Sequence, residues 1–246
     1  MERYLENVGW QGSYWGDATA KATDFYFDHW HGVLSDKKED FEFQHGKDRF
    51  YRGDCIFSEK TVLGNEDPLK GREKNWRLLR SIEKDNGLTE TEIYELFQKA
   101  ERFRSLFPTL ANFMPLWRLG GDSSTNLNLA KGSYWGAYRD FPDLWLGDIM
   151  LWYNNPEKLE ENNKGTFELF RANAENYFDK FGSWEEYIDN NYLEDFVDKD
   201  YGVVCLFRGD HCPRNGVLEL SQIKGFLENG ARIIEARAKR LAEKDY

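Results

Sequence analysis

Residues 89–107, TETEIYELFQKAERFRSLF, decide the fold. Thr89 followed three residues later by Glu92 is a capping-box pattern. Ile93, Leu96, Phe97, Ala100, Phe103 and Phe107 then recur at i, i+3, i+4 steps until Pro108 closes the run. The spacing predicts a long amphipathic helix with one apolar face, and such a face needs other elements to cover it.

Upstream, residues 72–85 place Trp76, Leu79 and Ile82 among Arg77, Arg80 and Lys84, which predicts a helix with a basic outer face, stopped at Asn86-Gly87. Before it the text changes. Residues 1–66 are Gly-rich and aromatic, and DFYFD (24–28), DFEFQ (40–44) and RFYRGDCIF (49–57) alternate rings with charges. Period-2 alternation predicts strands with one buried face, here a small antiparallel sheet or set of hairpins turning at Gly46, Gly53 and Gly64.

Downstream, residues 108–141 carry two prolines and a Gly-Gly and read as a buried connection leading into a turn. Proline at a first helical position predicts a helix from Pro142, with Leu144, Leu146, Ile149 and Tyr153 on it, ended by Asn154-Asn155-Pro156. A short helical piece follows at 159–163. Phe167, Phe170, Ala174, Tyr177, Phe178 and Phe181 predict another helix, stopped at Gly182. Ser183 with Glu186 is a second capping box, opening a helix that buries Trp184, Tyr187, Ile188 and Tyr192. YGVVCLF (201–207) reads as a strand or extended arm. A last helix over 219–243 points Leu220, Ile223, Leu227, Ile234 and Leu241 inward despite Gly225 and Gly230, each of which weakens a helix by about 1 kcal/mol unless packing needs its smallness. The expected fold is therefore mainly α (α+β): about six helices in a bundle with a small N-terminal aromatic-rich antiparallel β element. One domain over 1–246 is expected, with a β/loop-rich subregion at 1–66 and a helical one at 67–246.

Aromatic residues make up 16% of the chain, with 9 Trp, so the core is built largely from rings. No run of eighteen apolar residues occurs, and the start MERYLENVGWQG lacks the charged and apolar regions of an export signal, so a cytoplasmic protein without membrane contact is expected. The three cysteines, Cys55, Cys205 and Cys212, suit a reducing compartment. The net charge of −11 argues against wholesale nucleic-acid binding, but the charge is uneven. Residues 140–200 hold 16 acids against 5 Lys or Arg, and residues 68–139 hold 8 against 12.

The densest non-generic chemistry lies in TNLNLAKGSYWGAYRDFPDLWLGDIMLWYNN (125–155). A lysine beside a glycine, with Ser133 and backbone N–H groups at hand, can cradle a phosphate. The expected ligand site is the turn 126–143, with Asn126, Asn128, Lys131, Ser133, Trp135, Arg139 and Arg118, where Tyr134 or Trp135 can stack on a base; the competing reading is a structural turn whose Lys131 and Arg139 pair with Asp140 or Asp143. GSYWG occurs at 12–16 and again at 132–136, but its flanks do not repeat, so two similar turns are expected rather than a duplicated domain.

Other constellations are weaker. Asp24, Asp28, His29 and His31 form D-x3-D-H-x-H, in which His29 and His31 would share one face of a strand, but spacing forces no third ligand, and Cys205, His211 and Cys212 with the remote Cys55 match no zinc ribbon or finger; no metal and no cofactor are expected. No nucleophile elbow accompanies His211, so no catalytic residue is assigned. Glu185, Glu186, Asp189, Glu194, Asp195 and Asp198 read as a hydrated acidic face. Arg72, Lys74, Arg77 and Arg80 would contact nucleic acid if the fold joined them to Arg232, Arg237, Lys239 and Arg240.

Asn126, Asn128, Ala130-Lys131-Gly132, then Asp143-Leu144-x-Leu146-x-x-Ile149-x-x-x-Tyr153, Trp184 to Tyr187, Asp195-Phe196-Val197-Asp198 and Ile234-Glu235-Ala236-Arg237 with Arg240 resemble a family of uncharacterised bacterial proteins, a domain of unknown function, over roughly residues 108–244. The chain departs from the family pattern at Lys131, where Arg usually precedes Gly, and at Arg139-Asp140-Phe141-Pro142-Asp143, where D-R-F-D is usual, which removes bidentate Arg recognition at the turn. The resemblance implies no reaction. The leading functional expectation is binding of a phosphate-bearing ligand, nucleotide or nucleic acid, at the 126–143 turn. The alternative is an acidic module docking a basic protein partner through helices in 157–200.

Overall fold

The computed structural model describes residues 1–8, 19–42, 51–64, 68–85, 87–117, 127, 142–204, 206 and 219–244. Its elements are α1 (Glu2–Leu5), α2 (Ala20–Trp30), β1 (Tyr51–Cys55), α3 (Glu59–Val62), α4 (Trp76–Lys84), α5 (Glu90–Leu106), β2 (Phe113–Trp117), α6 (Pro142–Asn154), α7 (Pro156–Asn162), α8 (Lys164–Asn173), α9 (Trp184–Asn191) and α10 (Leu220–Lys244). The fold is mainly helical with a small two-stranded antiparallel sheet. Among the described residues no helix is long and apolar enough to cross a membrane.

The capping box that starts α5 forms as read: the Thr89 N–H donates to Glu92 Oε2 at 2.8 Å, and the Glu92 N–H donates to Thr89 Oγ1 at 3.3 Å. Leu96, Ala100, Phe103 and Leu106 form its buried face, and α10 covers it. α10 is about 37 Å long at 1.5 Å per residue. It serves as the spine, touching α1, α4, α5 and the 3₁₀ turns Leu110–Asn112 and Glu194–Phe196. Buried apolar residues from Tyr4 to Leu241 form one contiguous cluster, rich in rings such as the Phe57, Phe103 and Phe226 triangle. α6, α7, α8 and α9 pack beside one another at its other side.

Gly230 is where the spine meets α5. A Cβ there would come within 2.7 Å of Phe103 Cε2, closer than carbon atoms approach, so packing requires the missing side chain. We expect Gly230→Ala to destabilise by about 1–3 kcal/mol, because overpacking outweighs the roughly 1 kcal/mol gain in helix propensity. Chemical denaturation measures it; a neutral or stabilised variant would show that Phe103 has room to yield.

Four expectations are corrected, the simplest being that Gly53, expected as a turn, lies inside β1. Residues 24–28 are not a strand but the middle of α2: Thr19 caps it by accepting from the Ala22 N–H, and Ala22, Phe25, Tyr26 and Trp30 are buried at helical spacing. Consecutive rings satisfy either period over five residues; the cap and the eleven-residue length select the helix. The sheet is also not built within the first 66 residues. β1 pairs with β2 from the region read as a connection, in register Tyr51↔Trp117 to Cys55↔Phe113. Pro115, opposite Gly53, is tolerated in a two-stranded ribbon because its nitrogen faces no strand. The predicted helix through Phe181 ends at Asn173, and a 3₁₀ turn, Phe178–Lys180, carries the chain onward. In the 201–207 run the described pairing is a single bridge, Val197↔Val203.

Candidate functional site

The expected ligand residues Arg118, Asn126, Asn128, Lys131, Ser133, Trp135 and Arg139 lie outside the described residues, as do both GSYWG repeats, Cys205, His211 and Cys212. The basic helix read from residues 72–85 is described, and its local chemistry is unusual. Trp76, the first residue of α4, is surrounded by guanidinium groups: Arg72 Cζ lies 4.7 Å, Arg77 Cζ 4.9 Å and Arg80 Cζ 5.0 Å from its ring centroid. Cation–π attraction to the indole quadrupole offsets part of the repulsion among the three charges.

The loop before α4 fixes the ring. Gly64 is in the left-handed region at φ +78°, and a Cβ there would fall 2.4 Å from Trp76 Nε1, so the pyrrole edge of the indole lies against the Gly64 backbone. The Arg77 N–H donates to Leu63 O at 3.1 Å, tying the first turn of α4 to the end of α3. Asn75, itself left-handed at φ 65°, precedes the helix without capping it. Its Oδ1 accepts from Arg104, which also pairs with Glu59 at 3.1 Å and with Glu101. Those acids are thus engaged by Arg104. Among the described residues neither Arg72 nor Arg80 has a carboxylate partner, and Arg80 and Lys74 are exposed.

The second basic set is largely engaged within the fold. Arg237 is wholly buried. Its Nε donates to Asn191 O at 3.2 Å and its Nη1 to Ala111 O at 2.7 Å and Phe113 O at 2.8 Å, while the Trp30 and Tyr192 rings stand 6.0 and 5.9 Å from Cζ. Burial pulls its pKa down to about 10, so it remains charged at neutral pH. Arg240 and Arg232 pair with Asp195; burial works to lower the Arg240 pKa, but the hydrogen bond and charge of Asp195 overcome it and raise it. Three of the four cations of the second set, Arg232, Arg237 and Arg240, are thus engaged within the fold, and Lys239 is exposed.

His29 and His31 lie on and beyond the end of α2, not on one face of a strand. His29 bridges two hydroxyls, Tyr4 at 2.9 Å through Nε2 and Tyr192 at 3.0 Å through Nδ1, which ties α1, α2 and the end of α9 together. Among the described residues no group of three His, Cys, Asp or Glu could hold a metal ion. The acidic residues are partly structural: Asp189 accepts from Tyr201 Oη at 3.1 Å, and Asp198 Oδ1 accepts from the Asp200 and Gly202 N–H groups at 2.9 Å. Glu185 and Glu186 stay exposed on α9.

A family of unknown function, DUF6994, matches residues 77–241. The chain belongs to the DUF6994 family. The match begins at the second residue of α4, well before the 108–244 span of the resemblance, and takes in α5, the sheet partner β2, α9 and most of the spine. No curated protein and no solved structure matches the chain. The DUF6994 segment holds Arg77, Arg80 and every atom that Arg237 donates to, while Arg72 and Trp76 lie just before it. Sequence reasoning missed the internal role of Arg237. The signal was there: Arg237 stands three residues after Ile234 and four before Leu241, on the inward stripe of the helix.

Proposed function

We propose that this DUF6994 protein binds a phosphate-bearing ligand, nucleotide or nucleic acid, through the guanidinium cluster around Trp76. The observation that carries this reading is the gathering of Arg72, Arg77 and Arg80 within 5.0 Å of one indole centroid, with Arg72 and Arg80 unmatched by any described carboxylate. Arginine forks suit phosphate oxygens bidentately, and a guanidinium is more weakly hydrated than an ammonium and so cheaper to desolvate. The turn 126–143 with Lys131 and Arg139 belongs to the same proposal as a second element. The proposal sets the protein in the cytoplasm, where the reduced thiol of Cys55 is at home.

Titration of the full chain with ATP and with a fluorescein-labelled single-stranded oligonucleotide tests it. At least one should bind, more weakly as salt rises, and Arg72→Gln/Arg80→Gln should weaken it by tenfold or more, the loss expected of two charge-assisted contacts. Absence of binding by both probes, or an unaffected double variant, overturns the reading; Lys131→Gln/Arg139→Gln apportions the turn's share.

The second reading, docking of a basic protein through residues 157–200, rests on the exposure of Glu185 and Glu186. It has fewer groups to work with, since Asp189, Asp195 and Asp198 hold internal partners. Charge reversal at the two glutamates should abolish a salt-sensitive association with a basic partner.

A further inference from the structure

We infer that the Trp76 cluster recognises the condensed phosphate chain of its ligand, a di- or triphosphate, and reads no base. This rests on the phosphate-binding reading above and narrows it. Two observations point there. First, the indole is already crowded by cations: three guanidinium carbons stand 4.7, 4.9 and 5.0 Å from its centroid, and its pyrrole edge lies against Gly64. A base stacking on Trp76 would have to displace arginines from the ring, so the indole acts as a scaffold that spaces and orients the forks rather than as a platform.

Second, the cluster is a point and not a stripe. A nucleic-acid strand carries one charge per nucleotide and is met by cations strung along a face or groove. Here the cations converge on a single ring, and among the described residues the neighbours that could extend them are engaged: Lys84 by Glu219, Arg104 by Glu59 and Glu101, Arg232 and Arg240 by Asp195, and Arg237 inside the core. A di- or triphosphate concentrates its charges within such a span. Lys74, exposed beside the cluster, adds a mobile point charge, and Glu73, also exposed, is the acid it has to outweigh. Free inorganic polyphosphate and a nucleoside triphosphate share this chemistry.

Calorimetric titration of the full chain with tripolyphosphate, ATP, GTP and CTP separates the outcomes. All four should bind within about threefold of one another, and Arg72→Gln/Arg80→Gln should weaken all four by tenfold or more. Trp76→Leu should weaken tripolyphosphate and nucleotides equally, although it removes no charge, while Trp76→Phe, which keeps a ring for the guanidinium groups, should retain most of the affinity; melting curves confirm that the variants fold. A tenfold preference among bases, nucleotide binding without tripolyphosphate binding, or tight binding of the single-stranded oligonucleotide in place of the condensed phosphates overturns this inference and leaves the broader reading standing. If none of these probes nor the oligonucleotide binds, both fall.

Discussion

Arg237→Met is expected to lower the stability of the protein by about 3 kcal/mol, which for a chain of this size lowers Tm by roughly 6–12 °C. Three backbone carbonyls depend on this side chain: Asn191 O at the end of α9, Ala111 O in the 3₁₀ turn before β2, and Phe113 O at the start of β2. Each carbonyl left unpaired in the core costs about 1–3 kcal/mol. The opposing effect is the relief of burying a charge with no carboxylate beside it, the same effect that depresses the Arg237 pKa. Methionine fills part of the volume, so the cavity contribution is small. The carbonyl losses outweigh the relief because three acceptors are orphaned against one charge removed. Arg237→Lys should recover little, since a single ammonium cannot reach acceptors on both sides as Nε and Nη1 do. A melting temperature within 2 °C of the parent for Arg237→Met would mean that the three carbonyls find water, and that the spine is held to β2 by apolar packing alone.

How far the fold could be read depended on whether the deciding interaction was local. The start of α5 was legible because a capping box is closed within four residues, and the start of α6 because proline dictates its own φ. The partner of β1 was not, since nothing local in FMPLW tells an edge strand containing proline from a buried connection. What sets β2 is the distant partner of the residue just before it. Asn112 Oδ1 accepts from the Phe57 N–H at 3.0 Å, and its Nδ2 donates to Phe57 O and Phe107 O, both at 2.9 Å, which lays the segment along residues 56 and 57. The candidate site divides in the same way. That Arg77, Arg80 and Lys84 ride on a helix follows from periodicity, but the helix starts at Trp76, and Arg72 and Lys74 lie before it. That Arg72, Arg77 and Arg80 close around Trp76 follows from Gly64 letting a remote loop reach the indole, and this cannot be read from spacing. The expected residues of the 126–143 turn lie outside the described residues, so the site argued from the structure is one that the sequence offers only as half of a nucleic-acid contact, without its ring-centred geometry.

The second large effect is alkaline unfolding, which should begin abruptly above pH 10 and steepen with each further fraction of a unit. Tyr51, Tyr153 and Tyr177 each donate the phenolic proton to a backbone carbonyl: Tyr51 to Leu34 O at 2.9 Å, Tyr153 to Phe178 O at 2.6 Å and Tyr177 to Pro115 O at 3.0 Å. Burial is the main cause that raises all three pKa values. Asp40 adds to it at Tyr51, Tyr187 and Asp179 at Tyr153, and Tyr187 at Tyr177. In the unfolded chain these groups release their protons near pH 10, whereas the folded chain keeps them. The unfolded state then binds fewer protons, so stability falls as pH rises, by about 1.4 kcal/mol per pH unit for each tyrosine and about 4 kcal/mol for the three. Arg237 acts with the opposite sign: its folded pKa is depressed to about 10 from 12.5, so above pH 10 the unfolded state holds the extra proton and stability gains. One group against three leaves a net loss of roughly 3 kcal/mol per pH unit, enough to consume a typical stability of about 5–15 kcal/mol within a few units. Tyrosinate absorbance and near-ultraviolet circular dichroism recorded together check it: a late, cooperative fraction of the 13 tyrosines should ionise in step with loss of the aromatic signal. Tyr153→Phe should flatten the net slope by about half, because one of the three tyrosine protons is gone while Arg237 still offsets another. If instead all the tyrosines titrate smoothly near pH 10 while the dichroism holds, the buried hydroxyls are reached by water and the linkage fails.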